Sequence, residues 1–258
     1  MTDEELVELN RKGFIPGPRE TEHDFQERVQ ATQNFFIQPT AEFCAMERVS
    51  PTHWNWVDQH LEELFDFQPR SVAAYYSNRQ LTPWQGAASW IIDVKPGPLC
   101  ALQLRCGLKK GSYLGLYSRE EILAHEAVHA ARCAFEEPLG EEFFAYMTSS
   151  RRWRQIFGPI VQKPWEAALF LGACVVGAYW GSVVPSSIVF GVGLLRLIRN
   201  RQRMRKASQT LMSVVLDAKK VRAILFRLTD AEMGRLSKGI WVEGDESLRW
   251  RVIRLAYL

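Results

Sequence analysis

Residues 125–129 read His-Glu-Ala-Val-His. Two imidazoles four positions apart fall on one face of an α-helix, so both can point at one cation. Glu126, beside the first of them, can then take a proton from a water held by that ion. An imidazole-rich donor set suits zinc better than magnesium or calcium. The expected cofactor is therefore Zn²⁺, with His125 and His129 as ligands and Glu126 as the catalytic base. A bare five-residue match of this kind arises by chance in unrelated chains, so the surroundings decide its weight. Just upstream, Ser118-Arg119-Glu120-Glu121 has the pattern of a capping box, with Ser118 as N-cap and Glu121 at the third helical position. Ile122, Leu123, Ala124, Ala127, Val128, Ala130 and Ala131 carry the helix on, and Pro138 and Gly140 end it.

Catalytic zinc normally takes three protein ligands and leaves one position open. Pro138 and Gly140 predict a tight turn, and a second helix from about Glu141 could return a carboxylate to the ion. Over Tyr117 to Thr148 the chain resembles the zincin metallopeptidases, and within them the gluzincins, whose third ligand is a glutamate on a later helix. In some membrane-embedded zincins that glutamate opens a Glu-x-x-Ala-Asp run. Glu142-Phe143-Phe144-Ala145-Tyr146 matches it except that Tyr146 replaces the aspartate. The resemblance implies Glu142 as third ligand, with Glu141 as second choice, and peptide-bond hydrolysis of a peptide or protein substrate. The departure at Tyr146 removes the acid that would support His125 or His129 from behind. No third histidine follows at the metzincin spacing. Tyr113, Tyr117 and Tyr146 are candidate phenolic donors to an oxyanion. Arg132 could orient a ligand or a substrate carboxylate, though a salt bridge to Glu136 or Glu137 is the preferred reading. His23 is expected on an exposed helix face, and His53 and His60 in packing or surface roles. The rival function is a non-catalytic membrane adaptor whose zinc site is structural or decayed. Such a site is usually closed by a fourth ligand, often cysteine, and Cys133 stands four residues after His129.

The elements that must position these groups follow from periodicity. Trp90–Val94 and Leu99–Cys106 read as strands joined by a Lys95–Pro98 turn, and Ser112–Tyr117 as a third stretch running into the capped helix. The resembled family places a sheet before the metal helix, its edge strand holding extended substrate, and sheet-edge addition is a general way to bind a peptide backbone. Earlier in the chain, helices are expected over Asp3–Lys12, over Glu20–Phe36 with Thr21 as cap, and from Ser50-Pro51-Thr52 onward with Trp54, Val57, Leu61, Leu64 and Phe65 on one face. Ala73–Tyr76 reads as the lead into a loop at Thr82–Gly86. Later, Ser208–Phe226 reads as one amphipathic helix, Thr229-Asp230-Ala231-Glu232 as a capping box ahead of a helix ending at Gly239, and Asp245-Glu246-Ser247 as the start of a last helix.

Between these parts, Ala167–Leu195 is a run of 29 residues without a charge. A membrane span needs about 20 such residues. Gly181, Ser182, Pro185, Ser186 and Ser187 at its centre suggest a turn, and basic residues flank both ends (Arg151, Arg152, Arg154 and Lys163; Arg196 to Lys206). Positive residues stay preferentially on the cytoplasmic side. A transmembrane helical hairpin is thus favoured over a single kinked span, with the catalytic part cytoplasmic and the second basic run against acidic lipid. The hydrophobic share of 47% in 258 residues excludes a disordered chain, and a net charge of +3 gives no global field for nucleic acid, which is not expected as a partner. Five scattered cysteines with no Cys-x-x-Cys pair read as reduced thiols, and the acidic start carries no secretory signal. The expected fold is α+β: a mostly helical, zincin-like domain with a small sheet before the metal helix, the membrane hairpin, and C-terminal helices. The expected divisions are 1–50, N-terminal helices; 51–164, catalytic; 165–198, membrane; and 199–258, C-terminal helices packed on the catalytic part.

Overall fold

The structure is a computed structural model that describes all residues except 84, 95–96, 116, 136, 162–163 and 242–245. Parts of several expectations lie outside the described residues: Trp84 of the loop, Lys95 and Pro96 of the turn, Glu136 as a partner for Arg132, Lys163 of the first basic flank, and Asp245 ahead of the last helix. In chain order the elements are α1 (Asp3–Arg11), α2 (Glu22–Ile37), α3 (Ala41–Cys44), β1 (Glu47–Arg48), α4 (Asn55–Phe65), β2 (Ala73–Tyr76), β3 (Ala87–Val94), β4 (Gly97–Leu104), β5 (Ser112–Tyr113), β6 (Tyr117–Ser118), α5 (Arg119–Ala131), α6 (Pro138–Met147), α7 (Arg152–Phe157), α8 (Pro164–Tyr179), α9 (Val184–Val215), α10 (Ala218–Arg227), α11 (Asp230–Leu236) and α12 (Leu248–Tyr257).

A four-stranded mixed sheet runs β1-β2-β4-β3, with β2 and β4 parallel and the outer pairs antiparallel. Side chains of β2 and β4 alternate between two covered faces. Ala73, Tyr75, Leu99 and Ala101 pack with Phe35 of α2 and Phe43 of α3. Ala74, Tyr76, Cys100, Leu102 and Leu104 pack toward Leu123, Ala127 and Val128 of α5. Covering both faces explains why Ala73–Tyr76, expected as the lead into a loop, is a strand. A strand buried on both sides shows no polar alternation and reads as a short apolar run.

Behind α5, Phe65 of α4 stacks on Phe226 of α10 at 4.5 Å, and Phe144 of α6 meets both rings edge-on. Helix α10 of the C-terminal region thus packs on α4 and α6. The N-terminal helices close on the far end of the chain: Leu6, Phe14, Phe25 and Val29 share a core with Leu248 and Val252 of α12. The helix expected over Ser208–Phe226 is broken in two. α9 ends at Val215, Leu216 takes a left-handed conformation (φ 57°), and Asp217 caps α10.

α8 and α9 pair around Gly181 (φ 62°). The expected transmembrane hairpin is not borne out: among the described residues no helix is long and apolar enough to cross a membrane. α8 has 16 residues, about 24 Å at 1.5 Å per residue. The uncharged part of α9, from Val184 to Leu195, covers about 18 Å, against a hydrocarbon core of about 30 Å. The run of 29 residues is long enough on a count, but the turn divides it into two arms that are each too short. The cytoplasmic placement inferred from the basic flanks rested on that hairpin and goes with it.

Candidate metal centre

α5 starts where the sequence expects. The Ser118 hydroxyl accepts from the Glu121 backbone N–H at 3.2 Å. The reciprocal half of the box is replaced by longer-range bonds. The Glu121 carboxylate accepts from the backbone N–H and hydroxyl of Ser150 and pairs with Arg154 at 2.9 Å; Glu121 and Arg154 are both buried. This ties the first turn of α5 to α7. Leu123, Ala124, Ala127 and Val128 are fully buried, which fixes the rotation of the helix and turns His125 and His129 outward. Their side chains keep 15% and 17% exposure, so a small molecule can reach them.

The Nε2 atoms of His125 and His129 face one another at 3.4 Å. Two nitrogens bound to one tetrahedral zinc at about 2.0–2.1 Å lie about 3.3 Å apart. α6, which starts at Pro138 and so earlier than Glu141, brings Glu142 to the same point. Its Oε2 is 3.8 Å from His125 Nε2 and its Oε1 3.7 Å from His129 Nε2. The donor atoms of His125, His129 and Glu142 all lie within 4.8 Å of one another, the one such group among the described residues. A shift of Glu142 by a few tenths of an ångström would close the triangle to coordination size. The three donors therefore fit a zinc ion, and among the described residues no fourth ligating side chain joins them.

Glu141 takes a different place. Its Oε1 lies 3.0 Å from Nδ1 of His129, behind the ring. A carboxylate on the non-ligating nitrogen fixes the tautomer and orientation of a metal-binding imidazole. Support of that kind, left without an acid by Tyr146, comes to His129 from the residue before the ligand. His125 is braced by the Tyr146 ring, edge-on at 4.8 Å. Gly158 makes room for that ring: a Cβ at this position would overlap Tyr146.

Charge follows the geometry. Burial pushes His125 well below the usual imidazole range, with the His129 charge adding to it, so His125 is neutral and able to ligate. Burial also opposes a charge on His129, but the Glu141 bond and the Glu126, Glu142 and Glu141 carboxylates outweigh it and raise His129 to about 9. Burial raises Glu142 to about 7, against the pull of His129. Three acids thus surround one imidazole that holds a proton where a cation would sit. Burial raises Glu126 as well; His129 and a Ser89 hydrogen bond oppose the shift. Ser89 Oγ donates to Glu126 Oε2 at 2.6 Å.

Ser89 is a residue the sequence did not single out. It lies in β3, 37 positions before Glu126, and only the packing of β3 beside α5 brings the two together. Other expected residues stand elsewhere. Arg132 is buried at the end of α5 and donates to the carbonyls of Phe226 and Leu228, so it anchors α10 and orients no ligand. No salt bridge joins Arg132 to Glu137, which instead accepts from the Asp230 backbone N–H at 2.6 Å. Tyr113 donates to the Pro83 carbonyl, and Tyr117 lies under Arg154; of the three candidate phenols, Tyr146 is the one beside the histidines. The Cys133 thiol points to the Pro98 carbonyl and is no part of the donor group, so it does not close the site. His60 bonds to the Thr148 carbonyl and stacks on Trp56, and His23 is exposed beside Glu27. Comparison of the chain with protein-family models, with curated proteins and with solved structures finds no match.

Proposed function

We propose that the chain is a zinc-dependent peptidase, hydrolysing peptide bonds of a peptide or protein substrate. One observation carries the reading: three donors converge on an open point, and a buried carboxylate from the same helix stands beside them. His125, His129 and Glu142 would hold the ion, which when bound acidifies water toward neutrality and polarises a carbonyl. Glu126 accepts the proton of the attacking water and hands it to the leaving amine. A carboxyl whose proton affinity is raised by burial suits both steps at neutral pH. Ser89 fixes Oε2 of Glu126, and Oε1 remains to accept, with no bonded donor among the described residues. β3 is the edge of the sheet and runs beside α5. Its outer backbone groups can hold an extended peptide by strand addition.

Metal analysis of the purified protein tests the ligand set before any substrate is known. Wild type is expected to hold one zinc per chain, and His129→Ala and Glu142→Ala to lose it. Glu126→Gln is expected to keep the metal and to cleave a peptide library about 10²–10⁴-fold more slowly than wild type. Cleavage by Glu126→Gln at the wild-type rate would remove Glu126 as the base. Full zinc occupancy in Glu142→Ala would remove the ligand set.

A further inference from the structure

The α8–α9 hairpin stands out from the rest of the chain. From Trp165 to Arg196 the only buried residue among those described is Gly177. Val175, Tyr179, Trp180, Val183, Ile188 and Leu195 are all more than half exposed. The two helices pack on each other, and each shows its outward face, so apolar surface lies on opposite sides of the hairpin. A protein partner would cover one side. A medium that surrounds the hairpin covers both.

The tip is built for such a medium. Inside hydrocarbon every backbone polar group must be bonded within the chain. The N–H groups of Trp180, Gly181 and Ser182 bond back to the carbonyls of Val176, Ala178 and Gly177. The Val184 N–H bonds to the Ser182 hydroxyl, and the Ser186 hydroxyl to the Val183 carbonyl. Gly177 permits this closure, since a Cβ there would overlap the Ser182 carbonyl oxygen.

At the neck the character changes sharply. Glu166 and Arg196 neutralise one another through two bonds of 2.5 and 2.8 Å. Below them Arg199, Arg203 and Lys206 of α9, with Arg235 and Lys238, line a groove of about 970 Å³ with no acidic wall residue among those described. Arg199, Lys206, Arg235 and Lys238 are exposed and have no acidic partner among the described residues. The apolar arms reach about 18–22 Å above this neck. One leaflet of a bilayer offers about 15 Å of hydrocarbon beneath its headgroups. The arms match one leaflet with its interface, and fall short of two.

We infer that the hairpin inserts into a single leaflet of an anionic phospholipid bilayer, without crossing it, while the basic neck groove binds the lipid phosphates. Apolar depth and cationic collar act together, as two signals are needed for stable attachment.

Flotation of the full chain with phosphatidylcholine vesicles, with and without phosphatidylserine, tests this. Binding to the anionic vesicles is expected, falling with added salt. Trp180 as the sole tryptophan in the hairpin (Trp165→Phe) should be quenched by bromine placed within the acyl chains. The exposed-site variant Val175→Asp/Ile188→Asp is expected to lose binding at least about tenfold. Arg199→Glu/Lys206→Glu should weaken binding to anionic vesicles about fivefold or more per cation and leave the weak binding to neutral vesicles unchanged. Zinc content serves as the control for folding in each variant that carries it, and circular dichroism where it does not. No binding to either vesicle would overturn the inference, and so would binding unaffected by either double substitution. A dimer held together by these apolar residues, with no lipid binding, would overturn it in favour of self-association.

Discussion

His129 carries more of the site's electrostatics than any other side chain. Glu141 holds its Nδ1, His125 faces its Nε2, and Glu142 lies beside both rings. Its proton affinity in the metal-free protein is raised from 6.5 to about 9 by these acids, against burial. A raised folded-state value adds stability that is fully present below the unfolded value of 6.5 and is lost as pH rises through about 9. The metal-free protein is therefore expected to melt at a higher temperature at pH 6 than above pH 9, as far as this group decides. Zinc must displace that proton. Its apparent affinity should fall about tenfold per pH unit below 9, and more steeply below about 7, where Glu142 takes up a proton as well. Competition with a zinc indicator across this range measures the slope; a flat profile would mean that His129 is no ligand.

At the scale of elements, two backbone features set how α5, α6 and α9 end or approach. Leu216 is left-handed at the break between α9 and α10, and its side chain is 81% exposed. A left-handed conformation strains any residue with a Cβ by about 1–2 kcal/mol, and here no packing offsets it. Leu216→Gly is expected to stabilise the protein by about 0.5–1 kcal/mol in denaturant unfolding. Gly158 acts in the opposite sense. Its missing Cβ is the space in which Tyr146 lies against His125. Gly158→Ala is expected to cost about 1–3 kcal/mol by overpacking, and to weaken zinc binding with it, since the displaced ring presses on a ligand. A variant that unfolds more easily yet binds zinc as wild type would separate Tyr146 from the metal site.

For the whole molecule, the C-terminal helices hold the back of the site through buried charge. Glu232 accepts from Arg249, from the Trp250 indole and from Thr229, joining α11 to α12, while Arg227 reaches Asn10 and the Phe65 carbonyl. Burial pushes Glu232 up, but the Arg249 bond and charge and the Thr229 and Trp250 bonds outweigh it and leave it below 4.5. A lowered value means stability that is present above 4.5 and is lost as pH falls through the folded value. Glu232→Gln leaves Arg249 buried without its counter-charge, which costs about 3–5 kcal/mol. The expected result is a large drop in unfolding free energy at pH 7 and a smaller one in strong acid, measured by denaturant titration at both.

The local rules were enough for much of this. Ser118 as a cap, the helix after it, the two histidines on one face and the acid-bearing return helix are consequences of residue type at short spacing, because a helix makes neighbours of positions three and four apart. Thr21 and Thr229 cap helices for the same reason, and the Thr229–Glu232 box closes as its spacing implies. Tertiary packing decided the rest. Whether Glu141 or Glu142 faces the pair depends on the rotation of α6 against α5, which two adjacent glutamates do not reveal. Ser89 reaches Glu126 across a sheet edge, and Arg132 turns to the carbonyls of Phe226 and Leu228 at the end of α10, 94 and 96 residues away. The strand at Ala73–Tyr76 became legible only when both its faces were covered. The apolar run of 29 residues shows the same division: its composition and the turn near Gly181 follow from the sequence, but the length left to each helical arm is set by the backbone around Gly177 and Gly181.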